Sequence, residues 1–275
     1  MHSPQQHPAA PAASESASVQ MPLVGRREPA LQAIGITKNF GSLEVLKGVS
    51  MELYRGEITA VVGDNGAGKS TFMKVLSGEH IPTGGQLCVD GKEVLLRSTQ
   101  DAQSFGIETV YQDLALAPDL SVAENVFLGR ELKAPGWRGR IGMLDRQQML
   151  EESTRILTEL GAKLKSYRAT TQSLSGGQRQ GVAIARAIKW ARHAILMDEP
   201  TAALGTRQRD MVYAAIRAAA QRNLAVLLIS HDLPQVLELA DRIVVMRQGV
   251  AIANLVPAEV TVRDVVDVML GAKTV

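Results

Sequence analysis

From residue 31 onward, short runs of β-branched and aliphatic residues alternate with segments whose apolar positions recur every three to four residues. The runs at 31–36, 58–62, 107–111, 194–197, 225–229 and 243–246 read as strands. Their alternation with helical patterns predicts an α/β fold built on a mostly parallel sheet. Within 206–222, Met211, Val212, Ala215, Ile216 and Ala219 fall on one helical face, which suits a helix covering that sheet. The stretch 113–173 differs, with helical signals and no convincing strand. Ser121-Val122-Ala123-Glu124 is a capping-box pattern, and Met149, Leu150, Ser153, Ile156, Leu157 and Leu160 form a stripe that stops at Gly161. A helical insert is expected there, with 134–139 as a loop between its helices.

Composition narrows the class. The chain has 275 residues, 45% of them hydrophobic, enough for a full core. Lys plus Arg exceeds Asp plus Glu by two (30 against 28), so no global positive field argues for nucleic acid. Cys88 is the sole cysteine, which excludes an internal disulfide and a cysteine-based zinc site. Residues 1–28 are rich in Pro, Ala, Ser, Gln and His without a sustained apolar run, so a disordered tail is expected there, followed by one domain over 29–275. No run approaches the 18 or more apolar residues of a membrane span, and any membrane role would be peripheral.

The first chemical signal is Gly63-Asp64-Asn65-Gly66-Ala67-Gly68-Lys69-Ser70, which fits the phosphate-loop pattern G-x-x-x-x-G-K-[ST] at every fixed position. It leaves the strand at 58–62 and enters a helical pattern beginning Ser70-Thr71, the context the motif requires. The three glycines let backbone N–H groups turn toward an anion, Lys69 can reach the β- and γ-phosphates, and the Ser70 hydroxyl can ligate Mg²⁺. The strand at 194–197 runs into Asp198 and then Glu199. In phosphate-loop enzymes a strand-end aspartate holds Mg²⁺, and an adjacent carboxylate can orient the attacking water. Leu174-Ser175-Gly176-Gly177-Gln178-Arg179 lies between these motifs, before a helix expected over 179–190. Ser175 with the amides of Gly176 and Gly177 could offer neutral donors to a phosphate, or could simply cap that helix.

With Gln112 after the strand at 107–111 and His231 after Leu228-Ile229-Ser230, this order of elements over about 31–255 resembles the ATP-binding cassette family. The resemblance implies a P-loop NTPase fold with a mostly parallel core, an antiparallel β portion and an inserted α-helical subdomain. It implies ATP and Mg²⁺ as cofactors, with metal contacts from Ser70, Gln112 and Asp198. It implies catalytic roles for Glu199, His231 and Gln112, and adenine stacking for Phe40. It also implies a head-to-tail dimer in which Ser175–Gln178 of one cassette closes on the phosphate loop, residues 63–71, of another. One departure stands out: after Glu199-Pro200-Thr201 the family often continues Ser-Ala-Leu-Asp, whereas this chain has Ala202-Ala203-Leu204-Gly205, which puts coupling between the two sites in question.

The stretch from Val110 to Glu131 further resembles the bacterial carbohydrate-uptake branch. That likeness implies a peripheral subunit on the cytoplasmic face of the inner membrane, working with permease subunits and, through them, a periplasmic sugar-binding protein. A cassette for another small solute, or a soluble cassette protein without a transporter, is the alternative.

Overall fold

The computed structural model describes residues 28–162, 164, 166–202 and 204–272; apart from Glu28, the expected N-terminal tail lies outside the described residues. Strands β1 (Leu31–Phe40) and β2 (Leu43–Leu53) form an antiparallel hairpin that turns at Gly41, where φ is +60°. Next come β3 (Ile58–Val62) and α1 (Lys69–Leu76). β4 (Gly84–Val89) then pairs with the free side of β1, and β5 (Lys92–Val94) completes a four-stranded antiparallel sheet of order β2-β1-β4-β5. The antiparallel portion implied by the family resemblance is this sheet.

After α2 (Thr99–Ser104) the chain enters β6 (Ile107–Val110) and then the insert, which holds α3 (Val122–Phe127), α4 (Trp137–Arg140) and α5 (Arg146–Glu159). Helix α6 (Gly176–Trp190) returns it to β7 (Ala194–Asp198). α7 (Thr206–Gln221), β8 (Ala225–Ile229), α8 (Leu233–Leu239), β9 (Arg242–Arg247), β10 (Val250–Leu255) and α9 (Val262–Leu270) follow. The second sheet has the order β10-β9-β3-β8-β7-β6, parallel from β9 to β6 with β10 antiparallel at one edge.

The apolar runs of β7 and β8 are explained by burial on both faces. Ile195, Met197, Val226 and Leu228 meet the helices of the insert, α6 and α7, while Leu196, Leu227 and Ile229 meet α1 and the antiparallel sheet. Register then fixes the site. Ile229 pairs with Val61 on one side and Asp198 on the other, and Val110 pairs with Met197. Gly63, His231 and Gln112 each lie two residues beyond Val61, Ile229 and Val110, so all leave the sheet at its carboxyl edge, where α/β sheets bind ligands.

In the insert the predicted capping box is present: the Glu124 N–H donates to Ser121 Oγ at 3.2 Å, and the Ser121 N–H donates to Glu124 Oε2 at 3.0 Å. The loop expected over 134–139 needs correction, because Trp137–Arg140 forms one helical turn. Buried Asn125 is the insert's main polar anchor. Its amide donates to the carbonyls of Ala117 (2.9 Å), Leu120 (3.2 Å) and Ser121 (3.1 Å), and its Oδ1 accepts from the Ala117 N–H at 2.8 Å. Asn125→Leu removes the partner of the Ala117 N–H and the side-chain ties to three carbonyls that keep backbone or Thr171 donors, and is expected to destabilise the chain by about 1–3 kcal/mol in denaturant melts. A loss below the error of the melt would contradict this anchoring role.

Candidate functional site

The phosphate loop is shaped by close backbone packing. Gly63 has φ +152°, and a Cβ there would lie 2.1 Å from the Met246 carbonyl oxygen at the end of β9. Gly68 has φ +97°, with Leu46 Cδ2 only 2.9 Å from a would-be Cβ. Both positions therefore exclude side chains. Asp64, Asn65 and Gly66 are exposed, Ala67 is buried beneath them, and Thr71 is half-buried in the first turn of α1. The Lys69 ammonium folds back over the loop and donates to the carbonyls of Gly63 (2.7 Å) and Asp64 (3.0 Å). A cation is thus held beside free backbone N–H groups at a helix start, which is the arrangement that takes a phosphate.

Across the edge, the Ser70 hydroxyl lies close enough to the Asp198 carboxylate to act on its ionisation. Burial raises the Asp198 pKa above the ordinary carboxylate range, the neighbouring Glu199 charge raises it further, and the Ser70 hydroxyl opposes both. Glu199 has φ +46°, a left-handed conformation that is costly outside glycine, and its N–H is tied to the Ile229 carbonyl at 3.0 Å. This turn aims its carboxylate at His231, whose Nδ1 lies 3.1 Å from Glu199 Oε1. His231 itself is exposed, so it can also face a ligand.

Gln112 is exposed in the turn after β6. Phe40, at the hairpin tip, is 44% exposed, with the His80 ring edge-on at 5.3 Å and Lys38 Nζ 5.1 Å from the ring centroid. A core role for Phe40 is excluded by that exposure. Its free face suits stacking on a base.

Ser175 does cap α6. The Gln178 N–H donates to Ser175 Oγ at 3.3 Å, and Gln178 Oε1 accepts the Ser175 N–H at 3.0 Å. The same capping leaves the serine exposed for an anion, with Gly176 half-buried and Gly177 buried behind it. Gly177 has a packing reason too, since a Cβ would lie 2.7 Å from Gln208 Cβ on α7. Gly176 is looser, with Leu204 Cδ2 at 3.5 Å. Gly205 opens α7 and a Cβ there would meet nothing within 4 Å, so an aspartate would fit and would serve as a good cap. Packing does not explain its absence.

Sequence reasoning missed two neighbours of the site. His80 beside Phe40 follows α1 without any motif, and Arg186 on α6, which grips the segment after Gln112, looks in sequence like one more basic residue of an amphipathic helix.

Because its folded-state pKa is raised, the ionised Asp198 carboxylate destabilises the fold at neutral pH, and that penalty fades as pH falls through the folded pKa. Asp198→Asn is therefore expected to raise Tm near pH 7, with the gain shrinking toward acid. Thermal melts across pH check this, and a variant that melts below the parent at neutral pH contradicts it.

Three comparisons bear on this geometry. The family model described as "ABC transporter" matches residues 46–202. A fructose import ATP-binding protein of Rhizobium meliloti is 45% identical over 90% of this chain and 96% of its own length. A xylose/arabinose import ATP-binding protein of Sulfolobus acidocaldarius is 44% identical over 87% and 93%. A ribose import ATP-binding protein of Yersinia pestis is 38% identical over 88% of this chain, but only 46% of that protein is covered. Among solved structures, a nucleotide-free ATP-binding cassette from an ABC transporter superposes with a TM-score of 0.72 at 26% identity, covering 88% of this chain and 95% of that one. A phosphate loop, a strand-end Asp-Glu pair, a histidine in contact with the glutamate and a serine-capped Gly-Gly-Gln helix, matched to that family over most of the chain, make this protein an ATP-hydrolysing cassette of the ABC transporter family.

Proposed function

We propose that this cassette powers the import of a small sugar, a monosaccharide such as fructose or ribose, as a peripheral subunit on the cytoplasmic face of the membrane beneath permease subunits that receive the sugar from a periplasmic binding protein. The observation that carries this reading is the 45% identity to a fructose importer subunit across nearly the full length of both chains. This chain spans 96% of the fructose-type protein and 46% of the ribose relative, which is about twice as long. No described helix is long and apolar enough to cross a membrane, so force has to pass through a docked surface. The insert exposes Leu128, Trp137, Ile141 and Met143, apolar side chains suited to a permease contact.

In this reading Phe40 stacks on adenine, residues 63–71 cradle the phosphates, and Lys69 leaves its loop carbonyls for the β- and γ-phosphates. Ser70, Asp198 and Gln112 are hard oxygen donors that fit Mg²⁺ completed by phosphate oxygens. When bound, the ion would neutralise charge on the β- and γ-phosphates. Glu199 orients the attacking water and takes up its proton, and His231 holds the carboxylate at 3.1 Å while facing the γ-phosphate. Ser175 and the amides of Gly176 and Gly177 complete the site on a second copy of the chain, so ATP binding closes the dimer and hydrolysis reopens it.

Glu199→Gln is expected to slow hydrolysis by about a hundredfold or more while ATP binding persists, leaving an ATP-bound dimer in size-exclusion runs with Mg-ATP. A variant that hydrolyses at the parent rate, or stays monomeric, removes Glu199 from this role. Lys69→Ala should weaken ATP binding by the monomer, whereas Ser175→Arg should spare it and block closure. Equal loss of affinity in both variants would contradict the two-copy site. The sugar assignment has its own check: deleting the gene should abolish uptake of one labelled monosaccharide in cells, and intact uptake of every monosaccharide tried would overturn it.

A further inference from the structure

Two consecutive non-glycine residues just past Gln112 hold left-handed backbone: Leu114 has φ +61° and Ala115 has φ +44°. Such a pair persists only when something outside the turn holds it. The holder is Arg186, on the opposite side of the insert junction. Its Nη2 donates to the Leu114 carbonyl at 2.9 Å and its Nη1 to the Ala115 carbonyl at 2.8 Å. The guanidinium fork thus reads both strained residues at once, with the carboxylates of Glu108 and Asp113 close enough to act on its charge. Glu108 is itself buried in β6 and paired with Arg130 of the insert at 2.7 Å, which fixes the strand side of the junction.

Arg186 also belongs to the helix that Ser175 caps. Eleven residues separate them, about 16 Å along a continuous α6 that packs on α7 and the insert. One rigid rod therefore joins the turn that carries Gln112 to the serine presented outward. On the proposed reading, on which this inference rests, Gln112 serves the ATP of its own phosphate loop while Ser175 serves the ATP of the other copy. We infer that Arg186 is a positioning residue that couples the two ATP sites: its grip on Leu114 and Ala115 makes any movement of Gln112 toward a γ-phosphate a movement of α6 and Ser175. The clamp supplies a link within each chain where Gly205 lacks the carboxylate that often makes the link between chains. Strain is part of the device, because a turn that can adopt other conformations would let Gln112 move without pulling on Arg186.

Ala115→Gly tests this without touching any charge. Residue 115 is exposed, and glycine relieves the positive φ, so the variant should melt at or above the parent temperature. Arg186→Lys keeps the charge and loses the fork. Steady-state ATPase assays on the purified chain should give a sigmoidal ATP dependence for the parent, with a Hill coefficient approaching about 2, and a value near 1 for both variants, with kcat within about threefold of the parent. Should Arg186→Lys fail to fold, Ala115→Gly alone decides. An Ala115→Gly variant as cooperative as the parent, or a parent that hydrolyses ATP without cooperativity, overturns the coupling role while leaving the ATPase reading intact. A parent that neither hydrolyses ATP nor dimerises with it overturns both.

Discussion

The end of β8 is the point on which the catalytic edge depends. Ile229 pairs with Val61 and Asp198 at once, so the strand that launches the phosphate loop and the strand that ends in the Asp198 carboxylate share one row. The Ile229 carbonyl then accepts the Glu199 N–H and pins that residue in a left-handed turn, while His231 follows two residues later on the same strand exit. A single ladder position therefore sets the height of four functional groups. The cost of that geometry is carried by the strands below, whose side chains are buried on both faces and cannot slip register without moving apolar residues out of the core.

The site is less stable than its scaffold. Asp198 and Glu199 are adjacent carboxylates, one of them substantially desolvated, and Glu199 adds backbone strain. Among the described residues, the Lys69 ammonium donates to two loop carbonyls that a phosphate would replace. The Lys69 ammonium favours a ligand that brings negative phosphates, and on the proposed reading the paired carboxylates favour a divalent cation beside them.

Much of this was legible in the sequence. The parallel strands announced themselves as unbroken apolar runs, and the phosphate loop, Asp198-Glu199 and Ser175–Gln178 lie where their motifs required. The antiparallel sheet was harder to read from pattern. β2 is interrupted by Gly48 at φ +89°, with a shift in pairing with β1 nearby, so its alternation breaks; β10 at the sheet edge exposes Val250 and Ile252. The turn at Trp137–Arg140 was hidden by the flanking Pro135 and Gly136, which signal a loop. Ser175 and Gly177 show a different limit: their motif named them as ligand groups, yet both also meet local demands of capping and helix packing that any sequence reading ranks second. Arg186 was invisible because its partners are backbone carbonyls, which carry no sequence signal.

The central claim is that each ATP lies between the phosphate loop of one copy and the Ser175 segment of another. Disulfide trapping tests it directly, in a Cys88→Ser background that removes the only native thiol. Asn65→Cys and Ser175→Cys are placed on separately tagged chains that also carry Glu199→Gln to hold the closed state, and a disulfide can form only where the two Cα atoms come within about 7 Å. The account predicts a bond joining the two tags that forms with Mg-ATP and not without nucleotide. Failure of the tags to join in the presence of Mg-ATP, or equal joining with no nucleotide, would contradict it.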